Sequence, residues 1–171
     1  CMGNAPAGAT EADIAALYSD NCGTVHVTKT GTPIGTNCSW TATYTYHITD
    51  DCGNAVANDV VLTFSGSDQT APVLSSEPAN VTVSCDAIPP VPVITANDGC
   101  FGRVPVQFSS SNTQGTDPAN INFYNYTITR TWSATDDCGN NKTYTQTTTV
   151  YDITKPVIVK GNISTCFKNI G

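Results

Sequence analysis

Basic charge and histidine are scarce in this sequence. Its 171 residues include seven Lys and Arg together, two His and one Met, and only 12% are charged. A net charge of −7 argues against nucleic acid or an anionic membrane as partner. The histidines, His26 and His47, fall in alternating runs rather than at ligand spacing. The cysteines form no Cys-x-x-Cys pair, so zinc gives way to disulfides. No apolar run approaches the ~18 residues of a membrane span, so direct membrane insertion is not expected. Nothing reads as a signal peptide, and any export signal or anchor is expected outside this stretch. A nucleophile motif, a phosphate loop and a His–carboxylate metal cluster are also missing. The neighbouring pairs Asp50/Asp51 and Asp136/Asp137 point in different directions along a turn, whereas acid–base work needs two carboxylates facing one substrate. The sequence therefore predicts no enzyme.

What it does contain is a repeat. Asp50-Asp51-Cys52-Gly53-Asn54 leads to Asp68-Gln69-Thr70-Ala71-Pro72, and Asp136-Asp137-Cys138-Gly139-Asn140 leads to Asp152-Ile153-Thr154-Lys155-Pro156. Cys138 follows Cys52 by 86 residues and Pro156 follows Pro72 by 84. Residues 1–71 and 72–155 thus read as two copies of one module, and 156–171 as the start of a third. Modules of ~85 residues are small enough to need staples. Eight cysteines in turn-like surroundings place the chain in an oxidising compartment. Cys1, alone, would suit a lipidated N-terminus, but it has a counterpart in Cys85.

Residues 1–9 are loop-like. Thr10 and Asp13 form a capping-box pattern that starts a helix over 11–18, with Ile14, Leu17 and Tyr18 at helical spacing. Val25 and Val27 lie in a strand, and Gly31–Gly35 turns again. Over 39–49 the alternation is complete: Trp40, Ala42, Tyr44, Tyr46 and Ile48 take one face, and Thr41, Thr43, Thr45, His47 and Thr49 the other. A turn at 50–54 returns the chain through Val60, Leu62 and Phe64, and Pro72 stiffens the linker that follows. In the second copy Val81 and Val83 precede Cys85. Val91, Val93 and Thr95 then alternate, and Val104, Val106 and Phe108 suggest a strand. Residues 109–120 read as the longest loop. Tyr124, Tyr126, Ile128, Arg130, Trp132 and Ala134 repeat the inward face, with Arg130 where the first copy has Tyr44. There its stem packs and its head snorkels, or it pairs with a carboxylate. The return strand of Tyr144, Gln146, Thr148 and Val150 is more polar.

Short strands with frequent turns predict an all-β chain of tandem immunoglobulin-like antiparallel β-sandwiches, with one short helix in the first. In such a sandwich the strands leading to Cys22 and Cys52 run side by side. Their ends meet, which pairs Cys22 with Cys52 and Cys100 with Cys138. Cys1 and Cys38 fall together at the other end. Cys85 is left with Cys166, or each is free or pairs elsewhere. Asn37, Asn80, Asn125 and Asn162 each begin an exposed-looking sequon.

The Asp-Cys-Gly-Asn turn at 51–54 and 137–140 and the Asp-x-Thr-x-Pro linker at 68–72 and 152–156 resemble repeats of very large Bacteroidota cell-surface proteins. These include gliding-motility adhesins with hyaline-repeat-like, immunoglobulin-like modules. The resemblance covers both copies. It implies secretion by the type IX route to the extracellular cell surface, with outer-membrane association through other parts of the chain. It also implies a repetitive stalk serving adhesion or motility.

Two functions follow as expectations. One is structural: a stiff stalk segment whose partners are neighbouring repeats. The other is recognition of a glycan or surface polysaccharide through the 109–120 loop with Tyr124, or through the Thr-rich strands. No cofactor is required on either reading. Calcium is a further expectation, with Asp68, Asp98, Asp136 and Asp137 as oxygen ligands at the joint between repeats. The bland reading is that these Asp residues cap backbone groups.

Overall fold

The computed structural model describes residues 1–152 and Lys155. The expected third repeat, with Cys166 and Asn162, lies outside the described residues. The described chain is all-β apart from one short helix and two 3-10 turns. Its strands are β1 (His26–Thr30), β2 (Pro33–Thr36), β3 (Ser39–Thr49), β4 (Val60–Gly66), β5 (Val73–Leu74), β6 (Val81–Val83), β7 (Ala96–Asp98), β8 (Gly102–Val104), β9 (Val106–Asn112), β10 (Tyr126–Thr135) and β11 (Asn141–Val150).

Strand β3 organises the first sheet. The five residues read as its inward face are all buried. β4 pairs antiparallel along one edge. β1 and β2 lie along the other in one unbroken register, Thr30 opposite Thr45 and Pro33 opposite Ala42. The expected turn at Gly31 is therefore only an interruption of a single long strand. Gly31 takes a φ of 113°, and an added Cβ would sit 2.0 Å from the Thr43 carbonyl oxygen, so no other residue fits there without backbone movement.

The N-terminal segment is fixed to this sheet from above. Tyr44 Oη donates to the Pro6 carbonyl at 2.9 Å and Tyr46 Oη to the Ala9 carbonyl at 2.8 Å. Lys29 Nζ bonds the Ala7 and Ala9 carbonyls and lies 4.5 Å from the Tyr44 ring centre. The capping box forms as read: Thr10 Oγ1 accepts from Asp13 N, and Asp13 Oδ2 accepts from Thr10 N. The helix, α1 (Glu11–Ala15), is shorter than expected. It buries Ile14, whereas Leu17 and Tyr18 are exposed, so no apolar stripe sustains further turns.

Two more sheets follow. One is β5-β7-β8, antiparallel throughout. The other is β6-β11-β10-β9, in which β6 joins β11 in parallel. Contacts divide the chain into two compact units that cross the repeat boundary. Unit one is Cys1–Ser76, Ile94–Gln107 and Trp132–Tyr144. Unit two is Glu77–Val93, Phe108–Thr131 and the described residues from Thr145. Unit one holds two cores, one around β3 and one of Leu74, Ile94, Ala96, Val104, Trp132 and Ala134.

Three sequence expectations in the second copy change. The Val91, Val93, Thr95 alternation is not a strand. Val93 is 91% exposed, and Ile94, Ala96 and Asp98 are buried on the opposite parity. Pro92 denies this stretch a ladder N–H, and the strand that forms, β7, starts only at Ala96. The expected 109–120 loop is shortened because β9 runs through Asn112. Arg130 is 5% exposed, and its guanidinium donates to the Pro89 carbonyl at 2.8 Å and the Pro90 carbonyl at 3.4 Å. Among the described residues no carboxylate pairs with it. Pro90 follows Pro6 by 84 residues. Tyr44 and Arg130 thus reach equivalent carbonyls with different donors.

Candidate functional site: a disulfide joint with a buried carboxylate pair

Two turns of identical construction present Cys52 and Cys138. Asp50 Oδ1 accepts from Cys52 N and Asn54 N, both at 2.8 Å, and its Oδ2 accepts from Asn54 Nδ2 at 2.7 Å. Asp136 repeats each bond with Cys138 and Asn140 at 2.8 to 2.9 Å. Gly53 and Gly139 carry the positive φ that closes each turn. A second pair of Asx turns presents Cys22 and Cys100, whose N–H groups bond Asp20 Oδ1 and Asp98 Oδ1 at 2.8 and 2.7 Å.

The disulfides do not follow the expected pairing. Cys1 is bonded to Cys100 and Cys38 to Cys138. Neither Cys1–Cys38 nor Cys100–Cys138 forms. Cys22 and Cys52, expected to be joined, are free and exposed, as is Cys85 among the described residues. The expectation confined the bridges of Cys1, Cys22, Cys38, Cys52, Cys100 and Cys138 to one copy each. The fold instead brings the two loops of the second copy against the N-terminal segment and the start of β3, so each bridge joins one sequence repeat to the other. With its sulfur in a disulfide, Cys1 has none to give to a lipid.

Asn37 holds this joint together, and the sequence reading missed it except as a sequon. Its Oδ1 accepts from Met2 N at 3.0 Å and its Nδ2 donates to the Cys100 carbonyl at 3.0 Å. Its own carbonyl accepts from Asp68 N at 2.9 Å. With both ends of the amide bonded inside the joint, Asn37 is unsuited to carry a glycan. The signal in the sequence was adjacency to Cys38, which became informative only with the pairing known.

Of the four Asp residues expected to share a cation, the structure brings together two. Asp68 and Asp98 are 6% and 3% exposed, and their carboxylate oxygens approach within 4.8 Å. One oxygen of each is committed: Asp68 Oδ1 accepts from Thr70 N, and Asp98 Oδ1 from Cys100 N and Phe101 N. The Oδ2 of each is buried with no hydrogen-bond partner among the described residues. Two ionised carboxylates at this separation repel by roughly 3 kcal/mol at an effective dielectric of ~20, which a cation or a shared proton would relieve. Cys100 Sγ lies within the same group but is spent in a disulfide. Asp136 does not join them, because both its oxygens are used by its own turn, and Asp137 is exposed.

The turn carboxylates are tuned by their bonds. Asp50 is held below the usual carboxylate range by the Asn54 side chain first, then the Asn54 N–H, with burial opposing and the Cys52 and Gly53 N–H groups adding. For Asp136 burial is the largest influence and acts upward, but the Asn140 side chain and the N–H groups of Asn140, Cys138 and Gly139 outweigh it. A carboxylate depressed on folding contributes its full stability above its unfolded value of about 4 and loses it as pH falls through the folded value. Urea denaturation should therefore give a level stability from pH 7 to about 5 and a decline below about 4. Stability unchanged down to pH 2 would refute this.

His26 Nε2 meets Asp51 Oδ1 at 2.6 Å, and His47 Nδ1 meets Asp59 Oδ1 at 2.8 Å, all on exposed side chains. Asp51 also accepts from Thr24 N, tying the Cys22 loop to the Cys52 turn. Surface pairs of this kind contribute little to stability. Two disulfides fit an extracellular, oxidising location. Among the described residues no helix is long and apolar enough to cross a membrane. Comparison with protein-family models and with curated proteins gives no match.

Proposed function

We propose that this chain is a structural segment of an extracellular repeat array, a stalk that spaces an adhesive region from a cell surface, and that it performs no catalysis. The observation that carries the reading is the pair of disulfides joining one sequence repeat to the other, at separations of 99 and 100 residues. Bonds placed between repeats resist their being drawn apart, which a reach-and-spacing role requires. The finer fold reading, immunoglobulin-like sandwiches, is part of the proposal and is supported by the β3-centred sheet with its single buried face. The resemblance to Bacteroidota adhesins supports the cell-surface and motility setting.

The test is on the parent protein. An antibody to this chain, applied to intact source cells, should label the surface, and the reactive species should be a very large, protease-shaveable chain on a denaturing gel. A small secreted species near the mass of this chain would overturn the stalk. It would favour recognition of a surface polysaccharide, for which exposed Ile121 and Tyr124, the latter edge-on to Phe123 at 5.1 Å, offer an apolar contact.

Calcium at Asp68 and Asp98 belongs to the same reading. Free hard oxygens on two buried carboxylates suit Ca²⁺, which takes its remaining ligands from carbonyls and water. Calcium at about 100 times its dissociation constant should stabilise unit one by ~2.7 kcal/mol. EDTA should reverse the gain, and D68N/D98N should abolish the response. A melting temperature indifferent to calcium and chelator in the unmodified chain would remove the ion.

A further inference from the structure

Cys22 and Cys52 occupy the same places in the first repeat that Cys100 and Cys138 occupy in the second. The correspondence is one of geometry as well as sequence. Asp20 holds the Cys22 N–H as Asp98 holds that of Cys100. Asp50, Gly53 and Asn54 build around Cys52 the turn that Asp136, Gly139 and Asn140 build around Cys138, including the backbone bonds that Asp50 N donates to the Asn54 carbonyl and Asp136 N to the Asn140 carbonyl.

The surroundings of the two pairs differ. Cys100 and Cys138 are bonded to Cys1 and Cys38. The carbonyl of Cys100 is capped by Asn37, Asn140 Nδ2 also reaches the Asp68 carbonyl at 3.3 Å, and Asp98 is buried. Cys22 and Cys52 are free and exposed, and they line one cavity with Asp20, Asp51 and Asn54. Asp20 and Asn54 are exposed, whereas Asp98 is buried and Asn140 half-buried. Asp51 holds the two loops side by side through Thr24 and His26. The loops are thus already set as an adjacent pair, and what they lack is the surface that covers the second pair.

We infer that the Cys22/Cys52 face is the receiving half of a second joint, and that its occupant is another copy of this repeat. That copy would present cysteines at the places of Cys1 and Cys38, an amide at that of Asn37 and a carboxylate at that of Asp68. Cys85, which follows Cys1 by 84 residues and is free and exposed, is the matching donor for a further copy. Each bond joins two thiols with loss of two protons and two electrons. The electrons reduce one disulfide of a protein or small-molecule oxidant to two thiols. Two bonds form at the Cys22/Cys52 face. One forms from Cys85, because the second repeat has no counterpart to Cys38.

The inference draws its partner from the repeat-array reading, and a disulfide map separates the two. The protein is taken from source cells with thiols blocked by iodoacetamide at lysis, digested without reduction and analysed by mass spectrometry. The expected result is that Cys22 and Cys52 resist alkylation, each in a peptide bridged to a cysteine of another copy of the repeat. Cys1–Cys100 and Cys38–Cys138 serve as internal controls. A Cys22–Cys52 bridge, alkylation of both thiols, or bridges to an unrelated sequence would overturn it, even with both controls intact and the stalk reading standing. The recombinant chain supplies a second measurement. Both thiols should react with iodoacetamide without prior unfolding, and C22S/C52S should melt with the parent chain. Protection of the pair in the isolated chain would mean that no partner is needed to cover it, and would also overturn the inference.

Discussion

Replacing Cys38 and Cys138 by serine should cost unit one about 4 kcal/mol of unfolding free energy. The two residues are separated by 100 positions, and a loop of that length restricts the unfolded chain by ~4.7 kcal/mol on the chain-entropy model. The Cys1–Cys100 bridge remains and already shortens the effective loop, which lowers the figure slightly. A loss of this size moves the melting temperature of a chain of this length down by roughly 8–16 °C. C22S/C52S is the internal control, because both residues are exposed and unbonded, and surface exchanges of that kind stay within about 0.5 kcal/mol. Thermal and urea unfolding of the two double variants side by side decides the matter. Equal stability of the two would show that the bridge does not constrain the unfolded chain.

Trp132→Ala should be comparably damaging, at about 3–5 kcal/mol. Trp132 is 2% exposed and belongs to a core of six residues, so few neighbours are left to close a cavity. Its ring stacks with Tyr144 at 6.5 Å. The core draws on β5, β7, β8 and β10, elements distant in sequence, and Asp98 ends β7. The same substitution should therefore weaken any calcium response at Asp68 and Asp98. Trp132→Phe keeps most of the packing and should cost less than half as much. Urea denaturation followed by circular dichroism measures both, and a loss below about 1 kcal/mol for the alanine variant would contradict the packing argument.

What could be read in the sequence depended on how local the deciding interaction was. The β3 face was legible because Trp40, Ala42, Tyr44, Tyr46 and Ile48 alternate with Ser, Thr and His over eleven positions and one side is dry. The capping box and both Asp-Cys-Gly-Asn turns were legible because each closes within five residues. The parity of 91–98 was not, because Val91 and Val93 match Ile94 and Ala96 in apolar character and Pro92 blurs the period. The second half of β9 was hidden for a related reason: Ser109–Asn112 is exposed throughout, and pairing with its neighbour outweighs a polar, turn-like composition. The cysteine pairing was beyond reach. Eight cysteines admit 105 full connectivities, and keeping Cys1, Cys38, Cys100 and Cys138 to partners in their own repeat excluded the observed ones. Of the four Asp residues read as sharing one place, Asp68 and Asp98 meet, whereas the turn around Asp136 uses both its oxygens locally.

The two bridges are interleaved along the chain, since Cys38 falls between Cys1 and Cys100, and Cys100 falls between Cys38 and Cys138. A single peptide-bond cut anywhere from Cys1 to Cys138 therefore releases nothing, because at least one bridge always spans the nick. Between Cys38 and Cys100, which includes the exposed Ser67 and Gln69 of the linker, both bridges span it. A protease working from outside must cut at least twice before any piece between Cys1 and Cys138 drifts away. Damage to one strand of the backbone and loss of the segment beyond it become separate events.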